Sequence, residues 1–114
     1  MHELGIAESA LNVALGRARD AGAARIVRMV IRVGALSGVD PESLQFALTA
    51  ILPGTIAEGA QVQIDPVAAL AYCPACQKDF SPGTVHFFEC PTCGQLCATI
   101  KEGRELDLVR LEIL

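Results

Sequence analysis

Residues 73–93 read CPACQKDFSPGTVHFFECPTC. Two C-P-x-C pairs, Cys73 with Cys76 and Cys90 with Cys93, bracket residues 77–89. The C-x-x-C spacing turns the chain so that both sulfurs of a pair face one point. Two such pairs on a short connection can surround one tetrahedral ion with thiolates at about 2.3 Å, the signature of a zinc ribbon. A four-sulfur cage also suits iron. A disulfide framework needs an oxidising compartment and normally an even number of cysteines. This chain has 5, and Met1-His2-Glu3-Leu4 runs straight into a helix-like pattern instead of a basic start and an apolar leader. A redox C-x-x-C opens a helix after a strand and does not come in duplicate. The fifth thiol, Cys97, reads as a small, partly buried apolar side chain, with replacement of a ligand as the minor alternative. His86 has ligand chemistry, but four cysteines already complete a site. Phe80, Val85, Phe87 and Phe88 are the apolar filling. So small a module cannot bury enough surface to fold alone, so the metal supplies much of its stability.

On the N-terminal side, Leu4, Ala7, Leu11, Ala14, Leu15 and Ala18 recur at helical spacing, predicting an amphipathic helix over 4–22 that stops at Gly22. Arg25–Val33 reads as a strand. Val27, Met29, Ile31 and Val33 share one face, and Arg28 and Arg32 lie with Ile26 and Val30 on a solvated other face. A loop over Gly34–Val39 follows. Asp40-Pro41-Glu42-Ser43 then opens a second helix, with Asp as N-cap, Pro at the first helical position and Glu at the positive dipole end. Its buried stripe is Leu44, Ala47, Leu48, Ile51 and Leu52, and Pro53-Gly54 ends it. Ala60–Asp65 alternates as a strand with Val62 and Ile64 on one face, and Pro66 interrupts it. Beyond the cysteines, Glu105–Leu114 reads as a last strand. Its apolar phase slips from Leu106 and Leu108 to Val109, Leu111 and Ile113, which marks a bulge.

The expected fold is α+β: two helices packed on one face of a three-stranded mixed sheet, with the zinc ribbon inserted before the last strand. The boundaries expected are 1–69 plus 103–114 for the α/β domain and 70–102 for the zinc-binding domain.

Composition narrows the function. With 114 residues, 52% hydrophobic and 19% charged, the chain is globular. No apolar run approaches the ~20 residues that cross a bilayer. No membrane association is expected, and without a leader the location expected is cytoplasmic. A net charge of -4, 4% aromatics and no Trp argue against a nucleic-acid surface. There is no nucleophile–base motif and no phosphate-binding glycine loop, so no enzyme is expected. A monomer or weak homodimer fits the chain.

The start, Met1-His2-Glu3, is the other unusual feature. A bulky second residue blocks removal of the initiator. The terminal amine, nearby amide nitrogens and the His2 imidazole can then form a planar array, which suits Ni(II) or Cu(II) and not zinc. Such binding releases protons and weakens in acid. By themselves, one terminal His, a Glu at a helix start and an Asp N-cap have ordinary structural roles in His2, Glu3 and Asp40.

The chain resembles the hydrogenase nickel-incorporation proteins, the HypA/HybF family of small metallochaperones. The resemblance rests on Met1-His2-Glu3, Ser9-Ala10-Leu11, Val33-Gly34-Ala35-Leu36-Ser37-Gly38-Val39, Pro41-Glu42-Ser43-Leu44-Gln45-Phe46-Ala47, Gly54-Thr55, Glu58-Gly59-Ala60, both C-P-x-C pairs and Gly103-Arg104-Glu105-Leu106. It implies Ni(II) carried at His2 with backbone nitrogens, and Glu3 and Asp40 nearby as ligands or as groups that hold the site. It implies a structural Zn(II) at Cys73, Cys76, Cys90 and Cys93. The implied role is delivery of nickel to the [NiFe]-hydrogenase large-subunit precursor, with a HypB-type GTPase as partner and urease maturation proteins as further clients. A zinc-ribbon adaptor without nickel delivery is the alternative. The chain departs from many relatives in having Cys97, and in having Gln77 where a His follows the first pair.

Overall fold

The computed structural model describes residues 3–82 and 88–114. Its element order is α1 (Glu3–Asp20), β1 (Ile26–Gly34), α2 (Pro41–Ile51), β2 (Gln61–Val67), β3 (Leu70–Cys73), β4 (Lys78–Phe80), β5 (Thr99–Glu102) and β6 (Leu106–Ile113). The strands form two three-stranded sheets, ordered β2-β1-β6 and β4-β3-β5. The first sheet is mixed, because β1 pairs parallel with β2 and antiparallel with β6. The second is antiparallel throughout.

The helices bury small and aliphatic side chains on the first sheet. Ala7, Leu11, Ala14 and Ala18 of α1 meet Leu44 and Leu48 of α2 and Met29, Ile31 and Val33 of β1. Three alanines on the α1 stripe let the helix axis approach closely. Leu4, expected in the α1 stripe, is instead 51% exposed. The Asp40 carboxylate caps α2, accepting from the Ser43 amide at 3.2 Å and the Ser43 hydroxyl at 2.6 Å.

Three strand details differ from the simple alternation. Ile26 lies in the core and Val27 is only half-buried, the reverse of expectation. The pairing steps from Ile26↔Ile113 to Arg28↔Glu112, so β1 carries one extra residue there and Ile26 rotates into phase with Met29. A second irregularity steps from Val30↔Arg110 to Ile31↔Leu108, leaving Val109 as the extra residue on β6, where the apolar phase slips. Pro66 does not interrupt β2 but pairs with Val33 inside it. Val67 turns its carbonyl to the Ala35 amide at 2.9 Å, so Pro66, one residue earlier, turns its missing N–H to the open edge. The arginine face is also more ordered than a solvated surface. Arg28 donates to Glu112 at 3.1 Å and to the Gln63 side chain, and Gln63 in turn donates to Asp65 at 2.7 Å.

The two sheets meet where β1 ends. Gly34 donates to the Glu105 carbonyl at 2.8 Å, and Leu36 donates to the Gly103 carbonyl at 2.6 Å. A Cβ on Gly34 would stand 2.1 Å from the Gly103 oxygen, so only glycine permits this crossing. Gly103 has φ 120 and lies against Ala69. Both segments leading into and out of the second sheet are thus tied to one loop of the first.

Candidate metal centres

The four cysteines come from two tight turns. Cys73 ends β3 and pairs with Lys78 of β4, so the first pair is the turn of a hairpin. The second pair tips another hairpin, closed by the Glu89↔Leu96 bridge and by Cys90 N–H donating to the Gln95 carbonyl at 2.9 Å. Each turn ends in a left-handed residue directly after its second cysteine, Gln77 at φ 53 and Gly94 at φ 76. That reversal points both sulfurs of a pair to the same side.

All four sulfurs lie within 4.8 Å of one another. Cys73 and Cys93 are 3.6 Å apart, and Cys76 and Cys90 are 3.9 Å apart. A tetrahedron with ~2.3 Å metal–sulfur arms has edges of ~3.8 Å, so the spacing fits a single four-thiolate metal ion. Cys73 and Cys90 are buried, Cys76 is half-buried and Cys93 is exposed. Backbone amides favour two of the thiolates. The Cys93 N–H lowers Cys90 to about 6, and the Cys76 N–H at 3.4 Å lowers Cys73. The hydrogen bond with Cys93, followed by burial, pushes Cys76 up to about 12. Packed so closely, the thiols cannot all ionise without a cation. A divalent ion turns all four into thiolates and displaces their protons. With four protein ligands such a site is closed and structural, with no position left for a substrate.

Cys97 belongs to the same small core. It is 5% exposed and packs with Cys73, Cys90, Ala71 and Phe80. Burial and its contact with Cys73 push its thiol up to about 11. Its proximity to the cage was hidden in the sequence, because three residues of a hairpin separate it from Cys93. The only signal was its position just past the second pair.

Glu3 opens α1 and is half-buried, while Asp40 is exposed at the start of α2. Short connections join α1 to β1 and β1 to α2, so both helices begin at the end of the sheet where β1 finishes. Gly5 and Ile6 of α1 line one groove of about 740 Å³ together with Leu44 of α2 and Leu106 of β6. Asp40 is held below its ordinary 3.8 first by the Ser43 hydroxyl. His2 lies outside the described residues, as do Val85, His86 and Phe87. Glu105 stands directly before β6, where no motif singles it out. Its carboxylate accepts from the Gly103 N–H at 2.7 Å, and backbone hydrogen bonds hold its carboxyl below the usual carboxylate range.

Among the described residues no helix is long and apolar enough to cross a membrane. The family profile for hydrogenase/urease nickel incorporation, metallochaperone HypA, matches residues 1–113. A hydrogenase maturation factor HypA from a Picosynechococcus species is 40% identical over 114 residues, covering all of both chains. Another, from Chlorobium limicola, is 43% identical over 105 residues, covering 92% of this chain and 90% of its own. The solution structure of the Ni metallochaperone HypA from Helicobacter pylori shares the fold, with a TM-score of 0.71 at 24% identity over 100% of this chain and 98% of that one. A fold of two helices on a mixed sheet with a four-cysteine cage, and a match running nearly end to end, have one reading: the chain belongs to the HypA family of hydrogenase maturation factors, metallochaperones of nickel incorporation that are not enzymes.

Proposed function

We propose that this protein carries Ni(II) at its N-terminus and hands it to the [NiFe]-hydrogenase large-subunit precursor. The observation that carries this reading is the family match from residue 1, which takes in Met1-His2-Glu3 as well as the cysteine pairs. The His2 imidazole and the first backbone nitrogens would bind nickel. Glu3 and Asp40 would ligate or hold that site, since both helices begin at the same end of the sheet. A terminal site suits a cargo. It is tight enough to select nickel, it leaves an axial face open to an incoming donor, and fraying of one segment releases several ligands together.

Cys73, Cys76, Cys90 and Cys93 would hold a resident zinc, which supplies cross-linking and no chemistry. The α/β domain would span 1–69 plus 103–114, and the zinc-binding domain 70–102. A HypB-type GTPase would supply nickel or control its release in the cytoplasm. Urease maturation proteins are a second class of client, supported by the family's description.

Equilibrium dialysis against equimolar Ni(II), followed by metal analysis, tests the reading. Wild type should hold one tight zinc and about one exchangeable nickel. His2→Ala should lose the nickel and keep the zinc. Full nickel loading in His2→Ala would overturn the terminal site. Zinc with no nickel in wild type would leave a zinc-ribbon adaptor.

A further inference from the structure

We propose that Cys97 is a reserve ligand of the cysteine cage, positioned to replace Cys93. The inference rests on the metal cage described above. The four cage cysteines are unequal. Cys73 and Cys90 are buried and held by backbone amides, whereas Cys93 is exposed at the tip of its hairpin. Cys93 is the sulfur that solvent and electrophiles reach first.

Cys97 sits at the base of the same hairpin, where its N–H donates to the Phe88 carbonyl at 2.8 Å. That bond and the Glu89↔Leu96 bridge fix its backbone beside the cage. The thiol packs against Cys73 and Cys90, and among the described residues its hydrogen-bond partner is the Gln95 carbonyl, which accepts from this weak donor at 3.4 Å. A sulfur held so weakly gives up little in leaving that partner. Five thiols therefore cluster about four coordination positions, and the spare one is buried while Cys93 is exposed.

The exchange balances. The Cys93 thiolate leaves the metal and takes up a proton. The Cys97 thiol loses a proton and its sulfur bonds to the metal. Ligand number and metal charge are unchanged, and no oxidant or reductant takes part.

The test uses the full chain, metal-free and anaerobic, titrated with Co(II), whose absorption separates four-thiolate from three-thiolate coordination. Wild type and Cys97→Ser should both give the four-thiolate spectrum. Cys93→Ser should keep it, because Cys97 fills the gap. Cys93→Ser/Cys97→Ser should fall to the three-thiolate spectrum and bind at least about tenfold more weakly. A Cys93→Ser spectrum and affinity equal to those of the double variant would overturn the proposal. If wild type shows no thiolate–cobalt charge transfer, the cage reading fails and takes the reserve ligand with it.

A second measurement needs no Cys93 variant. Zinc-loaded protein is alkylated at its exposed thiol with limiting iodoacetamide, and released zinc is read with a chromogenic chelator. Wild type modified at Cys93 should retain zinc, whereas Cys97→Ala modified there should release it. Equal release from both would sink the idea.

Discussion

Gln77 is a long L-residue in the left-handed region, at φ 53, directly after the first cysteine pair. The second pair reaches the same backbone state with Gly94 at φ 76. L-residues other than Asn and Asp dislike that region by roughly 1–2 kcal/mol, part of which glycine's extra freedom in the unfolded chain offsets. Gln77→Gly should therefore stabilise the metal-loaded protein by about 0.5–1 kcal/mol, read as a rise in the urea midpoint at unchanged m. Asp40 makes a different case. Its folded ionisation lies below the ordinary 3.8 because the Ser43 hydroxyl and amide donate to the carboxylate. The stability it contributes is present above the unfolded value and fades as pH falls through the depressed one. Asp40→Asn keeps an N-cap acceptor, so it should leave the melting midpoint at pH 7 nearly unchanged while removing that acid sensitivity, and Asp40→Ala should lower the midpoint by roughly 4 °C. If Asp40→Asn also loses nickel while keeping its midpoint, the carboxylate acts on the cargo as well as on the helix. Both the cap and the cysteine pairs were legible in the sequence because each is a rule written within four residues. The burial of Ile26 was not, since the extra residue that turns it inward is defined only by the pairing with Ile113 and Glu112.

The elements were legible where periodicity and punctuation agreed. α1 and α2 carry their alanine and leucine stripes, and β6 announces its bulge by the phase slip at Val109. Pro66 misled because a proline inside a strand is a breaker only if its N–H faces a neighbour, and in an edge strand it need not. The tie between the sheets was the least legible feature. Gly34 and Gly103 are far apart in sequence, and each alone reads as an ordinary loop glycine. In the fold, the Gly34 Cα lies so close to the Gly103 carbonyl that an added methyl has no room, and its nearest obstacles are backbone atoms. Relief then requires moving the chain itself, which breaks the Gly34–Glu105 and Leu36–Gly103 hydrogen bonds. Gly34→Ala should cost at least about 2–3 kcal/mol in chemical denaturation. The loss should appear with the cage intact, since no cysteine touches this crossing. Normal cobalt spectra beside a lowered urea midpoint would show that, and an unchanged midpoint would mean the crossing adapts.

At the scale of the molecule, the chain is 54 Å long and 25 by 17 Å across, with two cores that share no residue. The first core holds Leu11, Ile26, Met29, Ile31, Leu44, Leu48 and their neighbours, enough aliphatic surface to stand without metal. Among the described residues the second holds Ala71, Cys73, Phe80, Cys90 and Cys97 as its buried members, so three of those five are cysteines. Remove the ion and, among the described residues, that second core keeps Ala71 and Phe80, with half-buried Phe88 and Ile100 against them, and a set of thiols that repel one another once ionised. Its three short strands, Leu70–Cys73, Lys78–Phe80 and Thr99–Glu102, cannot hold a sheet on those terms. Chelation by EDTA at pH 7 should therefore erase amide hydrogen-exchange protection in β3, β4 and β5 while leaving it in β1, β2, β6 and both helices. Protection should be lost first in the second hairpin, whose few backbone bonds depend most on the cage, and should return when a divalent ion such as zinc is added. The strap at Gly34 and Gly103 sets the reach of the effect, because it belongs to the first sheet's end and should mark the boundary where protection persists. Loss of protection across both sheets together would mean that the ion supports the whole chain, and the carrier and the cross-linked module could not be loaded separately.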